Sequence, residues 1–337
     1  MLNKETLDKY DPKGMYRVYD RWPEIAQESY ISELEPVDFH DIDHVIFAGM
    51  GGSGAIGDLF LSVLSKTSIH TNVVKGYLLP KTVDSKTLVV ATSASGNTVE
   101  TITTVQSAMN TNCNIVCFSS GGKLEEISRK NHITHRKIPF HQNPRASFPA
   151  YVYSILKVLN SIIPVDKKSI NDSIHQMKIL SEKISTQNLS DSNTSLDLAK
   201  WLDGIPLIYY PWGLQSAAIR FKNSIQENMK HHAMIEDIIE TCHNGIVSWE
   251  RKADVKPILI RGSEDYIKTK ERWEIIKQYF EENKIEYKEV FSVDGNILSK
   301  IVNLIYLLDF ATIYKAVIDE VDPIPVRSID YIKSKLR

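Results

Sequence analysis

Short apolar runs alternate with amphipathic stretches from residue 45 to residue 140. VIFAGM is followed by a helical stretch, then come TNVVKG and TLVVATS, a helix from about Thr98, NIVCFSS, a further helix and HITHRKIP. Runs rich in β-branched residues and bounded by glycine or polar turns predict strands; strands alternating with helices predict a parallel sheet covered on both faces. From Arg145 to about Ala199 the spacing is helical with almost no strand signal, broken by the polar STQNLSDSNTS, which reads as a loop. A second alternation follows, with strands at IPLIYYP, KPILIRG and YKEVFSV and long helices near 215–230, 264–284 and 296–319. The expected fold is α/β: two doubly wound parallel-sheet subdomains, residues 1–150 and 201–337, connected by helices over 151–200. No short-period repeat is visible, which sets solenoids aside.

Composition narrows the function classes. The chain has 337 residues, 42% of them hydrophobic, with 40 basic against 42 acidic side chains and a net charge of -2. That is ample for buried cores, and no basic block exists that would release counterions from a nucleic acid. The N-terminal MLNKETLDKYDPKGM lacks the apolar core of a signal peptide, and the apolar stretch 301–318 is interrupted by Asn303, Asp309 and Lys315. A cytoplasmic protein with no membrane partner is therefore expected. Cys113, Cys117 and Cys242 show no metal-ligand spacing, and CNIVC puts the first two on one face of a strand, as packing residues.

The stretch GMGGSGAIGD, residues 49–58, follows the first predicted strand and spells Gly49-x-Gly51-x-x-Gly54. Glycines between a strand and a helix leave backbone N–H groups free at a helix N-terminus, where the dipole favours an anion. A dinucleotide site would also place an acidic residue about 20 positions on, at the end of the next strand. KTSIHTNVVKGYLLP contains none. Instead TSASGNTVETI, residues 92–102, follows the third strand, and the hydroxyls of Ser93, Ser95 and Thr98 around Gly96 and Asn97 suit the oxygens of a phosphate monoester. Taken alone, such a turn is more often a plain N-cap; two loops on adjacent strand ends are far more specific.

GMGGSG followed by SxSGNTxET resembles the sugar isomerase (SIS) domain family, whose members bind phosphosugars through such loops. NPRA at 143–146, FKNSIQENMK at 221–230, CHNGIVSWE at 242–250 and a closing DPIPV and IDYIK are similar to the bifunctional phosphoglucose/phosphomannose isomerases, in the family's order across nearly the whole chain. The resemblance implies SIS-type, flavodoxin-like subdomains and a cofactor-independent, metal-free aldose-ketose isomerase of glycolysis and gluconeogenesis. Its substrate would be a hexose 6-phosphate held by Gly51, Gly52, Ser53, Ser93, Ser95 and Thr98. It implies Glu227 as the base that moves a proton between C1 and C2, and His243 as the ring-opening group, contributed across a homodimer interface. Lys333 matches the near-terminal lysine that assists ring opening. A carboxylate and an imidazole suit those tasks. Arg145, at the start of an apolar helix where the dipole disfavours a cation, is a candidate for holding the enediolate oxygens. His231 and His232 read as cap or surface groups.

Three positions depart from the family pattern. Ala94 stands where SYSGNT has tyrosine, Gly245 where HNEI has an acidic residue, and Phe148-Pro149 interrupts an apolar run. The alternatives are a phosphosugar sensor that has lost its chemistry and, more remotely, a dehydrogenase. A sensor would have no physical reason to keep Glu227, His243 and Arg145 together, and the cysteine nucleophile of an amidotransferase half is absent from the N-terminus.

Overall fold

Two parallel sheets share one core. In the computed structural model, which describes residues 2–336, the first sheet contains β1 (His44–Ala48), β2 (His70–Val74), β3 (Thr87–Ser93), β4 (Asn114–Ser119) and β5 (Thr134–Lys137). Their order is β2-β1-β3-β4-β5, every pair parallel. The second contains β6 (Ile205–Tyr210), β7 (Met234–Asp237), β8 (Val255–Arg261) and β9 (Lys288–Phe291), ordered β7-β6-β8-β9 and again parallel. The first order is the flavodoxin-like one, with its topological switch point between β1 and β3, where the two candidate phosphate loops leave the sheet.

Period-2 alternation assigns the two faces of each sheet. Val45, Phe47, Val90 and Phe118 face the large shared core, while Ile46, Val89, Ala91 and Cys117 face the helices on the other side. Cys117 is fully buried and Cys113 packs beside it in a neighbouring cluster, so the cysteines pack as expected. In the second sheet, Ile208, Ile258 and Ile260 face the same shared core, and Leu207, Tyr209 and Leu259 pack on Trp273, Ile276 and Phe280 of the helix Ile267–Glu282.

The helix Ile297–Ile318 runs through the middle. It is long and apolar enough to cross a membrane by composition alone, yet 83% of its most apolar window is buried inside the protein. A helix apolar all round belongs in a core, and this one packs against the helices Lys167–Ile184, Thr194–Trp201, Gln215–Ser224 and Gly51–Leu64. Its polar interruptions find partners: Asp309 is ion-paired with Arg220, Asn303 donates to the Ser299 and Ser173 carbonyls, and Lys315 pairs with Asp319 at the surface end.

Candidate active site

The helix Gly51–Leu64 begins without a side-chain cap and without an acidic residue in its first turn. Its leading N–H groups are therefore open to an anion. Thr98 stands at the N-cap position of the helix Val99–Ala108 but makes no capping bond; its hydroxyl meets Ser93 Oγ at 2.9 Å. The plain N-cap reading of this turn is thus not what the side chain does. Gly96 has φ +68°, and a Cβ there would collide with the Gly121 carbonyl, so the turn requires glycine. The two loops touch: Ala94 N donates to Ser53 Oγ at 3.3 Å.

From the glycine loop the contacts run on to the acid. The space beside Gly52 is bounded by the Pro144 carbonyl and by Arg220. The next residue, Arg145, is buried and donates through Nη1 to Glu227 Oε2. Its Nη2 donates to the carbonyls of Pro323 and Ile324 at 3.1 and 3.0 Å. Glu227 sits in a π-helical turn, Ile225–Met229, that continues the helix Gln215–Ser224; Lys230 ends it in the left-handed region. Such a turn is characteristic of functional sites because it re-aims side chains at the cost of regular hydrogen bonding. Ile225 and Met229 are buried, and Asn228 is anchored on Thr312 at 2.8 Å, leaving Glu227 pointing outward.

Glu227 opens into a cavity of about 990 Å³ that also has Gly51 in its wall. Its charged lining is mostly basic: Lys75, Lys222, Lys230 and Arg327 against Glu227 and Asp322. Lys75 follows β2, where a ribose-binding site would place a carboxylate, and it pairs with the buried Asp58 at 2.6 Å. Burial pushes the Asp58 carboxyl up, against the pull of Lys75. This electrostatic field suits a small anion and opposes the dinucleotide reading. Among the described residues, no group of three or more His, Cys, Asp or Glu side chains is arranged to hold a metal ion.

Residues 191–336 match the family described as the bacterial phospho-glucose isomerase C-terminal SIS domain. The bifunctional phosphoglucose/phosphomannose isomerase of Caldicellulosiruptor bescii is 33% identical over 89% of this chain and 91% of its own length. The chain belongs to the bifunctional phosphoglucose/phosphomannose isomerase family. The protein of the same name from Aquifex aeolicus is 28% identical over 96% of this chain and 97% of its own. In fold, a hypothetical protein from Thermus thermophilus superposes with a TM-score of 0.70 at 14% identity, over 98% of this chain and 88% of that one.

Of the residues that the isomerase family pattern singles out, Gly51 and Glu227 line the cavity; Arg145 pairs with Glu227, Gly52 adjoins Pro144, and Ser53, Ser93 and Thr98 are linked to one another through Ala94 and the Ser93–Thr98 contact. Ser95 faces a neighbouring cavity with Ser120 and Lys137. His243 lies exposed in the turn after the short helix Ile238–Thr241, and Lys333 lies exposed on the helix Arg327–Lys335; neither lines the Glu227 cavity within one chain. His231 and His232 are exposed, as read from the sequence, and they also line the cavity.

Two departures have local causes. Ala94 is buried at 5% exposure beneath Tyr151, whose hydroxyl reaches the Ala94 carbonyl at 3.4 Å. At Gly245 a side chain would run into the carboxylate of Glu236, which accepts from Thr241 at 3.0 Å. Sequence reading also missed Arg220 and Asp309, whose only signal was charge inside apolar helical spacing, and Lys230, which ends the Glu227 turn.

Proposed function

We propose that this protein is an aldose-ketose isomerase that interconverts glucose 6-phosphate and mannose 6-phosphate with fructose 6-phosphate through a cis-enediolate. The observation that carries the reading is the Arg145–Glu227 pair, set in a basic cavity beside an uncapped helix N-terminus. In this reading the phosphate is held by the Gly51, Gly52 and Ser53 backbone and by Ser93, Ser95 and Thr98. Glu227 takes the proton from C2 of the open-chain aldose and returns it to C1. The negative charge that develops on O1 and O2 lies beside the fixed guanidinium of Arg145, which favours the enediolate over the ground state. Loss of the C2 proton from either 2-epimer gives the same enediolate; that proton lies on opposite faces of C2 in the two aldoses, so rotation about the C2–C3 bond is what brings each one's to Glu227.

His243 and Lys333 act at ring opening in this reading. The family resemblance implies that His243 is supplied by a second copy in a homodimer, and its exposure outside the single-chain cavity is consistent with that reading. Residues 1–150 hold the phosphate, and residues 201–337 carry the base.

The test is isomerase activity of the purified protein in chelator on glucose 6-phosphate and on mannose 6-phosphate, with Glu227→Gln alongside. Turnover of both aldoses, with a loss of about 10³-fold or more in the variant while sugar-phosphate binding persists, is the expected result. Binding without turnover by the wild type would overturn the proposal.

A further inference from the structure

Lys230 ends the π-turn that carries Glu227, in the left-handed region at φ 59°. From there its ammonium reaches back to donate to the Glu227 carbonyl and across to donate to the Pro323 carbonyl at 3.2 Å. The same Pro323 oxygen accepts from Arg145 at 3.1 Å. Two cations on different elements thus grip one carbonyl. That carbonyl belongs to the stretch 319–326, which joins the central helix to the last one, and Asp322, Pro325 and Val326 of this stretch line the cavity.

We infer that Lys230 is a positioning residue for the proton transfer, clamping the turn of Glu227 to the 319–326 strap so that the base and the cavity wall keep one geometry. The inference rests on the isomerase reading of Glu227. A charged ammonium has three donors, and bonds from a charged donor are about twice as strong as neutral ones, so the clamp depends on the charge.

The charged and titratable groups facing Lys230 are Arg145, Asp322 and Glu227, with Lys75, Lys222, His231, His232 and Arg327 elsewhere on the cavity wall. Desolvation, with Arg145 next, outweighs the two carboxylates and brings Lys230 down to about 8. The clamp is therefore charged at neutral pH and weakens as pH rises through that value.

The experiment compares wild type, Lys230→Met and Lys230→Arg by steady-state kinetics from about pH 6 to pH 10, and by hydrogen exchange of the peptide covering residues 319–329. Lys230→Met is expected to lose about 10- to 100-fold in kcat with KM little changed, as expected for a misplaced base. Lys230→Arg recovers most of that loss, and its rate persists above the pH at which the wild type declines, because arginine keeps its charge. The strap amides exchange faster in Lys230→Met than in the wild type. A wild-type kcat in Lys230→Met, or an alkaline limb that does not move in Lys230→Arg, overturns the inference. If the wild type isomerises neither hexose phosphate, the isomerase reading fails separately, and unchanged strap exchange in Lys230→Met would still refute the clamp.

Discussion

Arg220 donates to Asp309 from 89 residues away, and neither side chain is more than 2% exposed. Asp309 is satisfied on both oxygens, by Ser224 at 2.6 Å and by Tyr19 and the guanidinium on the other side. Arg220 in turn donates to the Arg145 carbonyl at 2.9 Å and lies over the Phe148 ring at 4.4 Å. The pair thus ties the central helix to the loop that presents Arg145 to Glu227. Breaking one side of a buried pair strands a charge, whereas replacing both with apolar residues does not. Asp309→Asn is expected to cost about 3–5 kcal/mol in urea denaturation, and the double variant Arg220→Met with Asp309→Leu much less. Equal losses in the two would show that packing, not the charge pair, sets the cost.

Arg145 serves one carboxylate through Nη1 and two carbonyls through Nη2, acceptors held apart by a rigid planar fork that the single point of an ammonium does not span. Arg145→Lys is expected to lower kcat by about 10²-fold, and Arg145→Gln by more, with smaller changes in KM. Steady-state kinetics decides; a rise in KM alone would make Arg145 a ground-state binding group.

Gly96→Ala forces a Cβ onto the Gly121 carbonyl and a side chain into φ +68°. Such strain costs about 1–3 kcal/mol. It falls on the turn holding Ser93 and Thr98, so hexose 6-phosphate binding measured by calorimetry should weaken more than the melting point falls. A melting shift with unchanged binding would separate this turn from the phosphate site.

If His243 acts across a dimer interface, variants lacking different halves of the site complement one another. Glu227→Gln and His243→Ala are each inactive alone. A mixed twofold dimer regains one intact site of its two, so an equal random mixture should recover about a quarter of wild-type activity. No recovery after subunit exchange would assign His243 to its own chain's site or to none.

Most strands and both candidate phosphate loops were legible because β-branched runs, glycines and hydroxyl turns are local signals. β7 was not: Met234–Asp237 is four residues long, with two acids and no apolar alternation. Nor was the π-turn, since IQENM continues the helical spacing of the preceding stretch and only the αL backbone at Lys230 marks its end. Arg220 and Asp309 lay hidden for a different reason. A charge within an apolar helix reads as a surface position until its partner, far away in sequence, comes into contact with it. Glu227 itself was visible through its motif, but the Arg145 pairing that gives it meaning joins positions 82 residues apart.

The central helix also governs how the chain is made. Tyr306 bonds the Tyr19 carbonyl and Tyr314 the Ile184 carbonyl, so a segment synthesised late completes a core begun by the earliest helices. Until residues 297–318 have left the ribosome, the helices Lys167–Ile184, Thr194–Trp201 and Gln215–Ser224 lack the helix they pack against. Until then the nascent chain exposes the apolar sides of those helices, and the piece that must cover them is apolar enough to cross a membrane by composition. Completion of this helical core is thus deferred until late in translation, when the greasy central helix must find its slot before a membrane or another nascent chain captures it.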